Sequence, residues 1–230
     1  MKPIIFMTFL LAIFSGQSHS LQNSSGWCPY IGLGEGWSQV NPSIEVTGDF
    51  KQTSRNQYSS LFSQFFFGIE KELTEKRFVG GRIFLNQNWL NRSDATWHTI
   101  STGGALSTTK VEFQQKDALG LSAESGLYVT DKTKIYGALD IVYAAFSLEQ
   151  YTKIGESVVG LGEPVTRRLF GAGPRIGVRT SLTSSLDFYL ESSYIFYESF
   201  NNTYAAGNSS IKRSISPQTL NVGIGVLYSF

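Results

Sequence analysis

From Leu220 to Phe230 the chain alternates without a break. Leu220, Val222, Ile224, Val226, Tyr228 and Phe230 share one parity, and Asn221, Gly223, Gly225, Leu227 and Ser229 fill the other. A period of two puts successive side chains on opposite faces of a strand, so this segment has one oily face and one small or polar face. The pattern recurs upstream. Outward rows run through Leu186–Phe196, Phe170–Val178, Ile135–Ala145, Leu119–Val129, Val79–Trp89 and Leu61–Ile69. An eighth row, Ile31, Leu33 and Trp37 against Tyr30, Gly32, Gly34 and Gly36, is interrupted by Glu35.

The connections between these segments alternate in length. Short links lie near Glu72–Glu75, Asp131–Thr133 and Thr183–Ser185; long polar ones cover Gln39–Gln57, Asn91–Lys116, Gln150–Thr166 and Ser199–Ser216. Long loops all at one end are the mark of a membrane barrel, with short turns on one side and long loops on the other. The expected fold is all-β: an eight-stranded antiparallel up-and-down transmembrane barrel. Ten strands remain an alternative if Val111–Phe113 hides a further hairpin. Closure follows from the solvent. An unpaired backbone group in hydrocarbon costs several kcal/mol, so the first strand must pair with the last.

Composition agrees. Charged residues are 16%, aromatics 14%, and mean hydropathy is −0.08. Half of each strand faces lipid and half does not, which gives a chain poor in charge yet not greasy. A net charge of +1 supplies no basic excess for nucleic acid. Cys28 is the only cysteine, which excludes an intrachain disulfide and a Cys-based zinc site.

Residues 1–20 read as a signal peptide: Lys2, an apolar core from Ile4 to Phe14, then Ser18-His19-Ser20 before Leu21. The apolar run falls short of the ~20 residues of a spanning helix, which disfavours an uncleaved anchor. Gly26-Trp27 before Cys28 do not fit a lipoprotein signal. Residues 21–230 are then the barrel domain.

The non-lipid parity carries Glu70, Arg82, Glu124, Asp140, Arg175, Arg179, Asp187 and Glu191. Turned inward, these charges can pair as a structural plug or line a gated polar path. Trp37 and Trp89, each ending a strand, read as interfacial aromatics. Gly32-x-Gly34-x-Gly36 and Gly171-x-Gly173 lie on the inward parity of strands and lack the Lys-Ser/Thr of a phosphate loop.

The whole pattern resembles the small bacterial outer-membrane barrels typified by the OmpA transmembrane domain, OmpX and the opacity proteins. Val226, Tyr228 and Phe230 resemble the C-terminal signal by which the barrel-assembly machinery recognises its clients. The resemblance implies an outer-membrane location, contact with lipid and lipopolysaccharide, and four exposed loops open to a host or surface ligand. With the chain stopping at Phe230, the peptidoglycan anchoring of full-length OmpA-type proteins is not carried over. No cofactor, metal or catalytic set is expected. The expected function is a non-enzymatic surface protein for adhesion or envelope integrity, with a small pore as the alternative. Some such barrels modify lipid A with a His and a Ser. His98 with Ser101 is the candidate pair here, but its spacing departs from the His-x-Ser of lipid A deacylases, and a surface-loop histidine is the reading preferred.

Overall fold

The computed structural model describes residues 26–47, 51–55, 57–92, 95–100, 106–154, 157–160, 165–206 and 209–230. The proposed signal peptide lies outside them.

Eight long strands form a closed cylinder: β1 (Trp27–Val40), β4 (Tyr58–Thr74), β5 (Arg77–Arg92), β7 (Leu106–Tyr128), β8 (Thr133–Ile154), β10 (Val165–Ser181), β11 (Leu186–Tyr197) and β14 (Gln218–Ser229). Each pairs antiparallel with its neighbours. The ends meet: β1 pairs with β14 from Tyr30↔Ser229 to Val40↔Thr219. The cylinder therefore has no free edge.

Three tight turns close one end. A threonine hydroxyl accepts from a backbone amide in each, Thr74 Oγ1 from Lys76 at 3.3 Å in the first. Thr130 Oγ1 accepts from the Thr133 amide at 3.0 Å, and Thr183 Oγ1 accepts from the Leu186 amide at 3.0 Å. This side-chain capping of a turn satisfies backbone donors that the ladder leaves over.

The long connections, read from the sequence as loops, are largely strand. They carry β2 (Ser43–Thr47), β3 (Lys51–Arg55), β6 (Ala95–Ile100), β9 (Ser157–Gly160), β12 (Phe200–Ala206) and β13 (Ser209–Ser216). A four-stranded sheet in the order β12-β13-β2-β3 joins the first and last connections. β6 and β9 flank the upper parts of β7 and β8. The hairpin expected around Val111–Phe113 exists, but among the described residues β6 pairs only with β7 and does not enter the cylinder. The barrel has eight strands, not ten. β7 and β8 run for 23 and 22 residues, whereas crossing a bilayer takes ~9–11, so roughly half of each projects beyond the lipid.

Two β-bulges mark the exit. One lies between Leu61 and Phe62 in the β4–β5 ladder, the other between Gln115 and Ala118 in β7–β8. The second flips the inward parity of β7 from Phe113 and Gln115 to Ala118 and Gly120. A bulge adds one residue and re-aims everything beyond it.

Candidate functional site: the filled lumen

The lumen is layered. Its lower and middle parts hold a continuous chain of ion pairs. Lys134 Nζ lies 2.6 Å from Glu70, whose other oxygen meets Arg179 Nη1 at 2.7 Å. Arg179 reaches Glu124 at 3.5 Å, and Glu124 also meets Arg82 Nε at 3.2 Å and Arg175 Nη2 at 3.0 Å. Glu191 closes the group, accepting from Arg82 at 2.7 Å and from Tyr136 at 2.8 Å. Arg175 lies 3.1 Å from Asp140 and donates to Ser122, which itself donates to Asp140 at 2.7 Å. Tyr30 OH donates to Glu124 at 3.3 Å, so every barrel strand but β14 contributes a polar group to the network. Aromatic faces cover the cations: Phe66 under Arg82 at 4.6 Å, Phe78 by Lys134 at 4.9 Å, Tyr30 by Arg179 at 5.0 Å.

The sequence could place these groups together because strand parity decides what faces inward and charge avoids hydrocarbon. Seven of the eight anticipated charges meet in this network. Asp187 is buried toward the short-turn end but has no ion pair among the described residues. Lys134 was missed. It shares the parity of Tyr136 and Asp140 and stands one residue before the oily row that starts at Ile135, which is the signal that places it in the lumen.

Above the charges lies a polar layer of Gln64, Asn86, Gln115, Ser193 and Asn221 around a cavity of about 10 Å³, room for one water. Asn86 Oδ1 has no hydrogen-bond partner within the described residues. Gln115 ties this layer to the one above, accepting from Thr219 at 3.1 Å and donating to Tyr197 OH at 3.4 Å. The top is aromatic. Phe113 stacks on Phe146 at 5.3 Å, and Tyr58 and Tyr197 meet these two rings at 6.0 and 4.9 Å.

The strands' glycines make this filling possible. A Cβ at Gly34 would strike the Tyr189 hydroxyl, and one at Gly225 would strike the Leu33 carbonyl. Bare backbone on β1 and β14 thus gives rings from the neighbouring strands β4 and β11, Phe66 over Gly32 and Tyr189 over Gly225, a place to lie.

The outer wall is the reverse. Leu139 is 70% exposed, Ile176 68%, and Ile141 60%, with Leu121 and Phe170 close behind. These side chains sit on the outward parity of a sheet that has already buried its other face. Such a continuous apolar wall has no place in water, and a closed hydrogen-bond ladder is what hydrocarbon demands. The fold is that of a small outer-membrane β-barrel.

Solved structures of outer-membrane proteins are similar to this chain. OprG from Pseudomonas aeruginosa superposes with a TM-score of 0.51 at 16% identity, covering 88% of this chain and 96% of that one. A major outer-membrane protein from Thermus thermophilus matches at 0.47, with 13% identity over 84% and 99% of the two chains. Ail, the attachment invasion locus protein of Yersinia pestis, matches at 0.36, with 11% identity over 87% and 98%. No protein-family model and no curated protein matches the chain.

The remaining anticipated residues fall on the barrel as follows. Trp37 is half-buried on the outer wall and Trp89 exposed there. Neither ends its strand, since β1 continues to Val40 and β5 to Arg92. Trp89 is instead the extra residue of the β4–β5 bulge, between the pairs Leu61↔Leu90 and Phe62↔Asn88. The strands continue because the outer sheets prolong their ladders past the lipid. Val226, Tyr228 and Phe230 line the outer face of the closing strand, the two rings meeting edge to face at 5.3 Å. The Phe230 amide donates to the Pro29 carbonyl at 3.1 Å, so the last residue is pinned to the first strand. Cys28 is a free thiol on β1. His98 lies on β6, opposite Thr108, and Ser101 lies outside the described residues.

Proposed function

We propose that this chain is a non-enzymatic surface protein of a bacterial outer membrane, a rigid stem presenting a small β-sheet and a prolonged β7–β8 hairpin to the exterior. One observation carries the reading: the lumen is occupied from end to end. Ion pairs, a polar layer and an aromatic plug follow one another, and the cavity between them holds one water's volume. A conducting path needs connected water, and a fixed plug of paired charges supplies rigidity instead. The prolonged β7–β8 hairpin and the β12-β13-β2-β3 sheet supply a broad outer surface, the feature a ligand-contacting protein requires.

In this reading the apolar wall contacts lipid and lipopolysaccharide. The barrel-assembly machinery inserts the chain through Val226, Tyr228 and Phe230. The ligand is a surface or host molecule met by the outer sheets. Three measurements test it. Purified protein in planar bilayers is expected to give no steady conductance; a stable unitary current would overturn the closed-stem reading. Cells whose protein has Phe200–Ser216 replaced by a short turn are expected to lose adherence while the barrel still migrates as a heat-modifiable band. Undiminished adherence would remove the surface role. Lipid A mass spectra are expected to be the same with and without the protein; a change abolished by His98→Ala would make it an enzyme.

A further inference from the structure

On the outer wall of β1, β4 and β5 one polar line crosses the apolar rows, between Leu33 and Trp37 on β1 and between Leu85 and Trp89 on β5. Glu35 on β1 stands opposite Ser63 on β4, and Ser63 opposite Gln87 on β5. All three sit on the outward parity; Glu35 and Gln87 are exposed and Ser63 is partly so. Leu33 and Trp37 flank Glu35, Phe65 and Leu61 flank Ser63, and Leu85 and Trp89 flank Gln87. Among the described residues none of the three has a hydrogen-bond or ion-pair partner within the chain.

Their depth can be worked from barrel geometry. Each residue climbs about 2.5 Å along the axis of a barrel with strands tilted by ~40°, so Glu35 lies about 5 Å below Trp37 and Gln87 about 5 Å below Trp89. Neighbouring strands are ~4.8 Å apart, and the same tilt raises Gln87 about 6 Å above Glu35. The line thus climbs from Glu35, the deepest of the three, towards Asp117 next in the row, which lies 3.8 Å from Arg168. A carboxyl facing acyl chains is unfavourable unless something polar covers it.

We propose that this wall docks a second copy of the chain about a two-fold axis along the membrane normal, passing near Ser63. The polar line is self-complementary. Such an axis sets β1 of one copy against β5 of the other, so the Glu35 acceptor faces the Gln87 amide donor twice over, with the two Ser63 hydroxyls between them. An isologous interface has this reciprocity. The offset of about 6 Å along the normal is within the combined reach of two extended side chains. Hydrogen bonds of this kind hold membrane segments together where the hydrophobic effect gives no preference between protein and lipid.

The test is cross-linking in native membranes. A Cys28→Ser chain carrying Ser63→Cys is oxidised, and the same is done with Ile141→Cys on the opposite wall, whose side chain is also exposed. The expected result is a disulfide-linked band of twice the chain's mass from the Ser63→Cys protein and none from the Ile141→Cys control. Adding Glu35→Leu and Gln87→Leu to the Ser63→Cys chain should lower the yield several-fold while leaving heat-modifiable migration intact, since both changes make the wall more apolar. Monomer alone, a cross-linked species of any other mass, equal yield at the control position, or a yield indifferent to the two leucines would each overturn the proposal. Light scattering of the unsubstituted protein in mild detergent reads the same question without a cysteine: a dimer mass supports the interface and a monomer mass refutes it.

Discussion

Glu191→Leu tests whether the luminal charges hold the barrel together. Glu191 accepts from Arg82 Nη2 at 2.7 and 2.9 Å, from Tyr136 at 2.8 Å, and from Arg175 Nη1 at 3.4 Å. Leucine keeps much of the bulk and removes the charge. Hydrogen bonds to charged groups contribute ~1.5–3 kcal/mol each, but these are not independent, because Glu124 still faces both guanidinium groups. The governing cost is the charge left short of a counterion in a site where Arg82 and Arg175 are almost fully buried. Breaking a buried pair from one side costs about 3–5 kcal/mol, and that is the expected loss. Urea titration of the protein in lipid vesicles, followed by tryptophan fluorescence and by the gel shift of the folded form, reads it. The double variant Arg82→Met with Glu191→Leu removes both partners and should lose less than Glu191→Leu alone. A single variant within about 0.5 kcal/mol of the unsubstituted protein would refute the idea that this network is structural.

Other outcomes follow from the same geometry. Gly34→Ala should destabilise by about 1–3 kcal/mol in the same titration, because the new methyl meets the Tyr189 hydroxyl; combining it with Tyr189→Phe should recover part of the loss. Leu139→Arg places a cation in the lipid belt and should cost ~2–4 kcal/mol, whereas Thr166→Arg, on the same outward parity of β10 but nearer the long-strand end, should cost ~1 or less; equal costs would dismiss the lipid assignment of the wall. Phe113→Ala should cost about 3–5 kcal/mol through the hole left in the aromatic plug, yet give no conductance, since the ion-pair layer still closes the lumen. Phe230→Ala should reduce the heat-modifiable fraction recovered from the membrane, with a smaller effect on the stability of barrel already folded.

All eight barrel strands were legible because the membrane imposes period two with unusual force: one face must be apolar and the other must not. The same physics hid the outer strands. Once β7 leaves the lipid, Lys110, Glu112 and Gln114 need no oily row beside them, and a strand such as Lys51–Arg55 has no apolar position at all. The luminal charges could be assigned to a face but not to partners. Nothing local connects Arg82 to Glu191 109 positions away, and the pairing emerges only when the cylinder closes. Trp89 illustrates a third gap: its place on the wall was readable, whereas the bulge that seats it depends on how β4 and β5 match in length.

The glycine-lined seam between β1 and β14 has a consequence for the order of events in folding. Its partners are the most distant in the chain, so this ladder closes a loop of nearly the whole polypeptide, while every other barrel pairing joins barrel strands that follow one another along the chain. Until it zips, the two edges stand apart like an unbuttoned sleeve. The Tyr189 ring lies against Gly34 and Gly225, one on each side of that gap, so its contacts are complete only once the sleeve is fastened.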